Sequence, residues 1–89
     1  MTREDTLRIL ESKPLHIINR RDYNSAIKAL KNPGTKVYCG KRITVEGIPT
    51  SITWQYEVVN LFRRLGFTSY EAGNDAPRKG RQGDYIKVF

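Results

Sequence analysis

Eighty-nine residues are enough for a single compact domain, 1–89, whose core buries roughly 60–65% of the unfolded surface. With 38% hydrophobic and 28% charged residues the chain has an ordinary globular balance, which excludes disorder of the low-hydropathy, high-charge kind. The formal net charge of +7 is concentrated in residues 13–42, where Lys13, Arg20, Arg21, Lys28, Lys31, Lys36, Lys41 and Arg42 face the single acid Asp22.

Such a concentrated positive field is the footprint of a polyanionic partner, because neutralising phosphates releases condensed counterions. No apolar run approaches the ~20 residues of a membrane span, and the acidic, polar N-terminus is unlike a signal peptide. A soluble, intracellular (cytoplasmic) protein without a membrane partner is therefore expected. Cys39 is the only cysteine and His16 the only histidine. No internal disulfide, zinc ligand set or Cys–His pair follows from them. Cys39 reads as a small half-buried strand residue, and His16 as a strand-edge or surface residue.

In chain order, Thr2-Arg3-Glu4-Asp5 opens a first helix with Thr as N-cap and an acid three residues on. Leu7, Ile9 and Leu10 form its short apolar face, and Lys13-Pro14 stops it. Leu15 to Ile18 is β-prone, a linker or a single edge strand. Asn19 caps a second helix, with Asp22 at its third position and Tyr23, Ala26, Ile27 and Leu30 at helical spacing. Asn32-Pro33-Gly34 terminates it.

Lys36–Cys39 and Arg42–Val45 are two β-prone runs separated by Gly40-Lys41, which matches a two-residue II′ hairpin turn. A single bulged strand is the alternative reading. Pro49-Thr50-Ser51 then opens the strongest helix, which runs to Leu65 and closes at Gly66. Ile52, Trp54, Tyr56, Val58, Val59, Leu61, Phe62 and Leu65 cover more than half of its circumference, leaving Thr53, Glu57, Asn60 and Arg64 as a narrow polar stripe. Phe67–Ala72 and Asp84–Phe89 read as strands flanking a loop rich in Gly, Asn and basic residues, Gly73–Gly83. The fold class is α+β, three helices with two β-hairpins.

Two constellations point to nucleic acid. On the second helix Arg21, Asn24, Lys28 and Lys31 fall within ~100° of arc, with Arg20 at the margin and no acid interleaved. Cations at this spacing meet successive phosphates, and Asn24 has the reach for a base edge. In the loop, Arg78, Lys79 and Arg81 supply charge beside glycines that let the backbone approach a phosphate. A basic loop between the last two strands resembles the wing of winged-helix DNA-binding domains, which makes the fold loosely winged-helix-like. Such domains place two helices consecutively before the wing, whereas a hairpin separates them here.

Glu57 on a helix, followed by a strand and Gly83-Asp84-Tyr85-Ile86, resembles the front half of the PD-(D/E)xK nucleases and resolvases. That family completes its metal site with an acid two residues before a lysine. Here Tyr85 precedes Lys87 at that spacing, so a catalytically incomplete, nuclease-like fragment is what this resemblance implies. No phosphate-binding Gly-Lys-Ser/Thr motif and no Rossmann fingerprint occurs, and no metal or cofactor is expected.

Tyr38, Trp54, Tyr56, Tyr70 and Tyr85 would stack bases if they lay on a sheet face. Trp54 and Tyr56, two apart on a helix, point to different sides, so either is a candidate anchor for a protein partner. The sequence thus reads as a non-enzymatic nucleic-acid-binding domain, duplex DNA before RNA. Its contacts are Arg20, Arg21, Asn24, Lys28, Lys31, Arg78, Lys79 and Arg81. The alternative is a small protein-binding regulator or inhibitor acting through the Trp54/Tyr56 patch.

Overall fold

The computed structural model describes residues 1–12, 19–78 and 82–89. Among them are three helices and five strands, in the order α1 (Arg3–Ser12), α2 (Arg20–Lys31), β1 (Lys36–Tyr38), β2 (Gly40–Val45), β3 (Ile48–Thr53), α3 (Gln55–Leu65), β4 (Tyr70–Asn74) and β5 (Asp84–Val88). The class is α+β, with two small antiparallel sheets, β1-β5-β4 and β2-β3. No helix among the described residues is long and apolar enough to cross a membrane. The β-prone stretch Leu15–Ile18, Pro14 and His16 lie outside the described residues.

Local chemistry sets the helix ends. The Asp5 amide donates to Thr2 Oγ1 at 3.1 Å, and the Arg21 amide donates to Asn19 Oδ1 at 2.9 Å. Each bond satisfies one amide that the first turn would otherwise leave open. The α2 helix ends at Asn32, whose side chain donates to the Lys28 carbonyl at 2.8 Å. The α3 helix ends at Gly66, left-handed at φ 79, a conformation that costs other residues ~1–2 kcal/mol.

The middle of the chain differs from the sequence reading. Gly40-Lys41 is not a turn: Gly40 starts β2, and β1 pairs with β5 instead of with its neighbour in sequence. The two strands follow one another across Cys39, whose amide donates to the Asp84 carbonyl at 2.8 Å while its carbonyl accepts from the Trp54 amide at 2.9 Å. The turn lies at Glu46-Gly47, with φ 53 and 78. Two successive positive φ values match the right-handed twist of the flanking strands. Pro49-Thr50-Ser51 does not open a helix; it belongs to β3, where β-branched Ile48, Thr50 and Ile52 alternate along the strand. The third helix starts at Gln55, with Trp54 as its N-cap. The long-looped final hairpin forms as β4–β5, although β4 begins at Tyr70 because Phe67 turns into the core. A whole hairpin intervenes between α2 and α3, and the winged-helix likeness is not confirmed by this arrangement.

Helices α2 and α3 lie on one face of the three-stranded sheet, α2 against β1 and β5 and α3 against β5, with α1 packed on α2. Val37, Ile86 and Val88 face the helices and are buried with Ala26, Leu30, Val58 and Phe62. Alternation sends Lys36, Tyr38, Tyr85 and Lys87 to the opposite face. Arg3 fastens α1 by donating to the Leu30 carbonyl at 2.9 Å, at the open end of α2. Among the described residues the hairpin β2–β3 makes its extensive contacts only within itself and stands out from this two-layer body; the molecule measures 44 Å in its longest dimension.

Candidate nucleic-acid interface

The α2 helix divides cleanly. Asp22, Ala26, Ala29 and Leu30 are buried, whereas Arg20, Arg21, Asn24, Lys28 and Lys31 are all exposed. At 100° per residue the exposed set is centred opposite the buried set, so it looks straight away from the sheet. The one acid of this helix, Asp22, is 7% exposed and accepts from Arg21 Nε at 3.3 Å. It therefore does not interrupt the basic surface.

The five residues are not equivalent. Arg20 and Lys28 enter no ion pair among the described residues, and Asn24 lies one turn from each. Lys31 is 3.7 Å from Glu11 of α1, an exposed pair of little energetic weight. Arg21 lies over the Trp54 ring, 4.9 Å from its centroid. Trp54 Nε1 donates to Ser25 Oγ at 2.8 Å. Trp54 thus joins the start of α3 to α2 and holds the Arg21 guanidinium at the edge of the stripe.

Helix α3 shares this layer. Its buried residues are Val58, Val59, Leu61 and Phe62, and its outer face carries Tyr56, Asn60, Arg63 and Arg64, with Glu57 as the one acid. Tyr56 is 74% exposed, whereas Trp54 is half-buried and engaged, so of the two proposed protein anchors only Tyr56 stands free of the core. Arg63 and Arg64 enlarge the basic outer surface, and the sequence reading assigned neither to a site. The usable signal was the spacing Tyr56, Asn60, Arg63, which puts these residues on one exposed face once the helix is known to start at Gln55.

Of the basic loop, Arg78 is described. Lys79 and Arg81 lie outside the described residues. Arg78 acts electrostatically on Asp75 and Tyr38, which belong to the sheet face turned away from the helices. There Asp75 Oδ2 accepts from Lys36 Nζ at 2.9 Å and from the Tyr38 hydroxyl at 2.8 Å. These bonds hold the Asp75 carboxyl below the usual carboxylate range, Lys36 contributing most and Tyr38 next. Hydrogen bonding to Asp75 raises both Lys36 and Tyr38. Tyr38 and Tyr85 meet edge to face at 6.2 Å on this side, with Lys36 Nζ 4.5 Å from the Tyr85 ring centroid. Tyr70 faces the helices instead, against Phe62 and Phe67. The interactions of Arg78 thus lie with Asp75 and Tyr38, and none joins it to the α2 stripe among the described residues.

Of the residues shared with the nuclease resemblance, Glu57 is exposed on α3, and Asp84 Oδ1 accepts from Asn74 Nδ2 within β4–β5. Among the described residues no three of His, Cys, Asp and Glu form a group that could hold a metal ion. No protein-family model, no curated protein and no solved structure matches the chain.

Proposed function

We propose that this protein is a non-enzymatic nucleic-acid-binding domain that takes duplex DNA in preference to RNA and contacts it through the outer face of its helix layer. The observation behind this reading is the α2 stripe of Arg20, Arg21, Asn24, Lys28 and Lys31, exposed along its whole length while its one acid is buried. A twelve-residue helix is ~18 Å long, and a major groove ~12 Å wide admits a helix whose outer face is open. In that position Arg20, Lys28 and Lys31 neutralise phosphates, Arg21 is pre-positioned by Trp54, and Asn24 faces the base edges. Arg63 and Arg64 add charge to the same layer. Arg78, whose interactions are with Asp75 and Tyr38, is left out of the proposed contact.

A gel shift with the double variant Arg20→Glu/Lys28→Glu, run beside Arg78→Glu, tests the assignment. The double variant should lose duplex binding with an unchanged circular dichroism spectrum, and Arg78→Glu should keep it. Binding that survives the double reversal, or that is lost only in Arg78→Glu, would mean that another surface is used.

A further inference from the structure

We infer that the hairpin β2–β3 is a self-association arm, whose apolar face stacks on the same face of a second copy of this chain with the base of one arm over the tip of the other. The pairing register puts Lys41 with Ile52, Ile43 with Thr50 and Val45 with Ile48. Directly opposed residues share a face and alternate along the strands, so all six lie on one side of the ribbon. Val45, Ile48 and Ile52 are 52%, 66% and 42% exposed, and elsewhere in the described chain only Met1, Tyr56 and Phe89 are large apolar residues left so open. A two-stranded ribbon is marginal in water until something covers its apolar side. Among the described residues no other element makes extensive contact with it.

Charge and shape select a second copy as the cover. Lys41 marks the inner end of the apolar face and Glu46 sits in the turn at its tip; both are exposed, and neither enters an ion pair among the described residues. In a two-fold arrangement with base over tip, the Lys41 of each copy meets the partner's Glu46, so the contact is self-complementary. The same arrangement sends the bodies of the two copies, each copy with a formal net charge of +7, to opposite ends of the assembly. A nucleic acid is a poorer occupant, since it would meet an apolar surface with an acid at its tip. Six residues per strand make a face ~20 Å long and ~10 Å wide. That is well short of the ~800 Å² per partner of a stable interface, so the dimer is weak and depends on concentration.

Sedimentation equilibrium of the full chain without nucleic acid, between about 1 µM and about 1 mM, tests this assignment. The average mass should climb from one chain toward two. Ile48→Glu, at an exposed position that leaves the core untouched, should weaken association by about tenfold or more. Lys41→Glu and Glu46→Lys should each weaken it several-fold, and the two combined should restore it, because the reversed charges again meet across the axis. A single-chain mass at every concentration would overturn the proposal and leave the arm to a different partner. Association unchanged by Ile48→Glu, or not recovered by the charge swap, would overturn it equally.

Discussion

Trp54→Phe isolates the contact that ties α3 to the basic helix. It removes the indole N–H that donates to Ser25 Oγ at 2.8 Å and replaces the ring under Arg21 with a weaker π face. The hydrogen bond is worth ~0.5–1.5 kcal/mol. The cation–π contact, with the Arg21 side chain 44% exposed, adds ~0.5–1 kcal/mol at most, part of which phenylalanine keeps. The summed loss is ~1–2 kcal/mol. For a domain of this size that lowers Tm by roughly 4–8 °C per kcal/mol. Thermal unfolding followed by far-ultraviolet circular dichroism is the suitable assay, because Trp54 is the only tryptophan and its fluorescence disappears in the variant. A double-mutant cycle with Ser25→Ala should give a coupling of about 1 kcal/mol, since either change alone removes the same bond. A coupling indistinguishable from zero would refute the Trp54–Ser25 tie. In the wild type, Trp54 emission should change when nucleic acid occupies α2, because Arg21 lies on its ring.

Cys39 is fully buried, and burial pushes its thiol up to about 12. Native protein at pH 8 should therefore label with iodoacetamide only as fast as it opens, and rapid labelling without denaturant would contradict the packing. The unfolded thiol loses its proton first as pH rises past 9.0, so this group's contribution to stability falls between there and the folded value. Asp75 has the opposite sign. Lys36 and Tyr38 lower its folded value, so the stabilisation is present above the ordinary carboxylate range and is lost as pH falls through the folded value. Lys36→Ala should raise the Asp75 titration midpoint measured by NMR, and an unmoved midpoint would rule out the contact.

Local chemistry that acts within a few residues was legible in the sequence. Thr2, Asn19 and Gly66 were identifiable as caps because a short side chain or a missing Cβ meets a need only a few residues away. The hairpin was misread for the same reason. Gly40-Lys41 looks more like a turn than Glu46-Gly47, since glutamate rarely takes a positive φ, yet Glu46 does so here. What decides the matter is non-local: the Cys39 amide is claimed by Asp84, far along the chain, so the strand continues instead of turning back. Likewise Pro49-Thr50-Ser51 has helix-start chemistry, but its register across from Arg42, Ile43 and Thr44 makes it strand.

The α2 stripe was readable from spacing alone, because a helix of known phase fixes which side chains share a face. Its separation from Arg78 was not, since that depends on β1 pairing with β5 and on which sheet face the helices occupy. From spacing alone Trp54 reads as one of the apolar residues of a helix. In the structure it lies half-buried at the helix cap, beneath an arginine from another element, and no spacing rule along one segment could reveal that contact.

The salt dependence of duplex DNA binding, measured by fluorescence anisotropy on a labelled duplex, is the most direct test of the nucleic-acid surface. If Arg20, Arg21, Lys28 and Lys31 each neutralise one phosphate, log K should fall against log[salt] with a slope near −3.6, about −0.9 for each contact. Arg20→Ala/Lys28→Ala should bring the slope to about −1.8, and Arg78→Ala should leave it unchanged. Affinity that hardly responds to salt, or a slope that changes with Arg78 and not with Arg20 and Lys28, would contradict the assignment of the helix layer as the binding face.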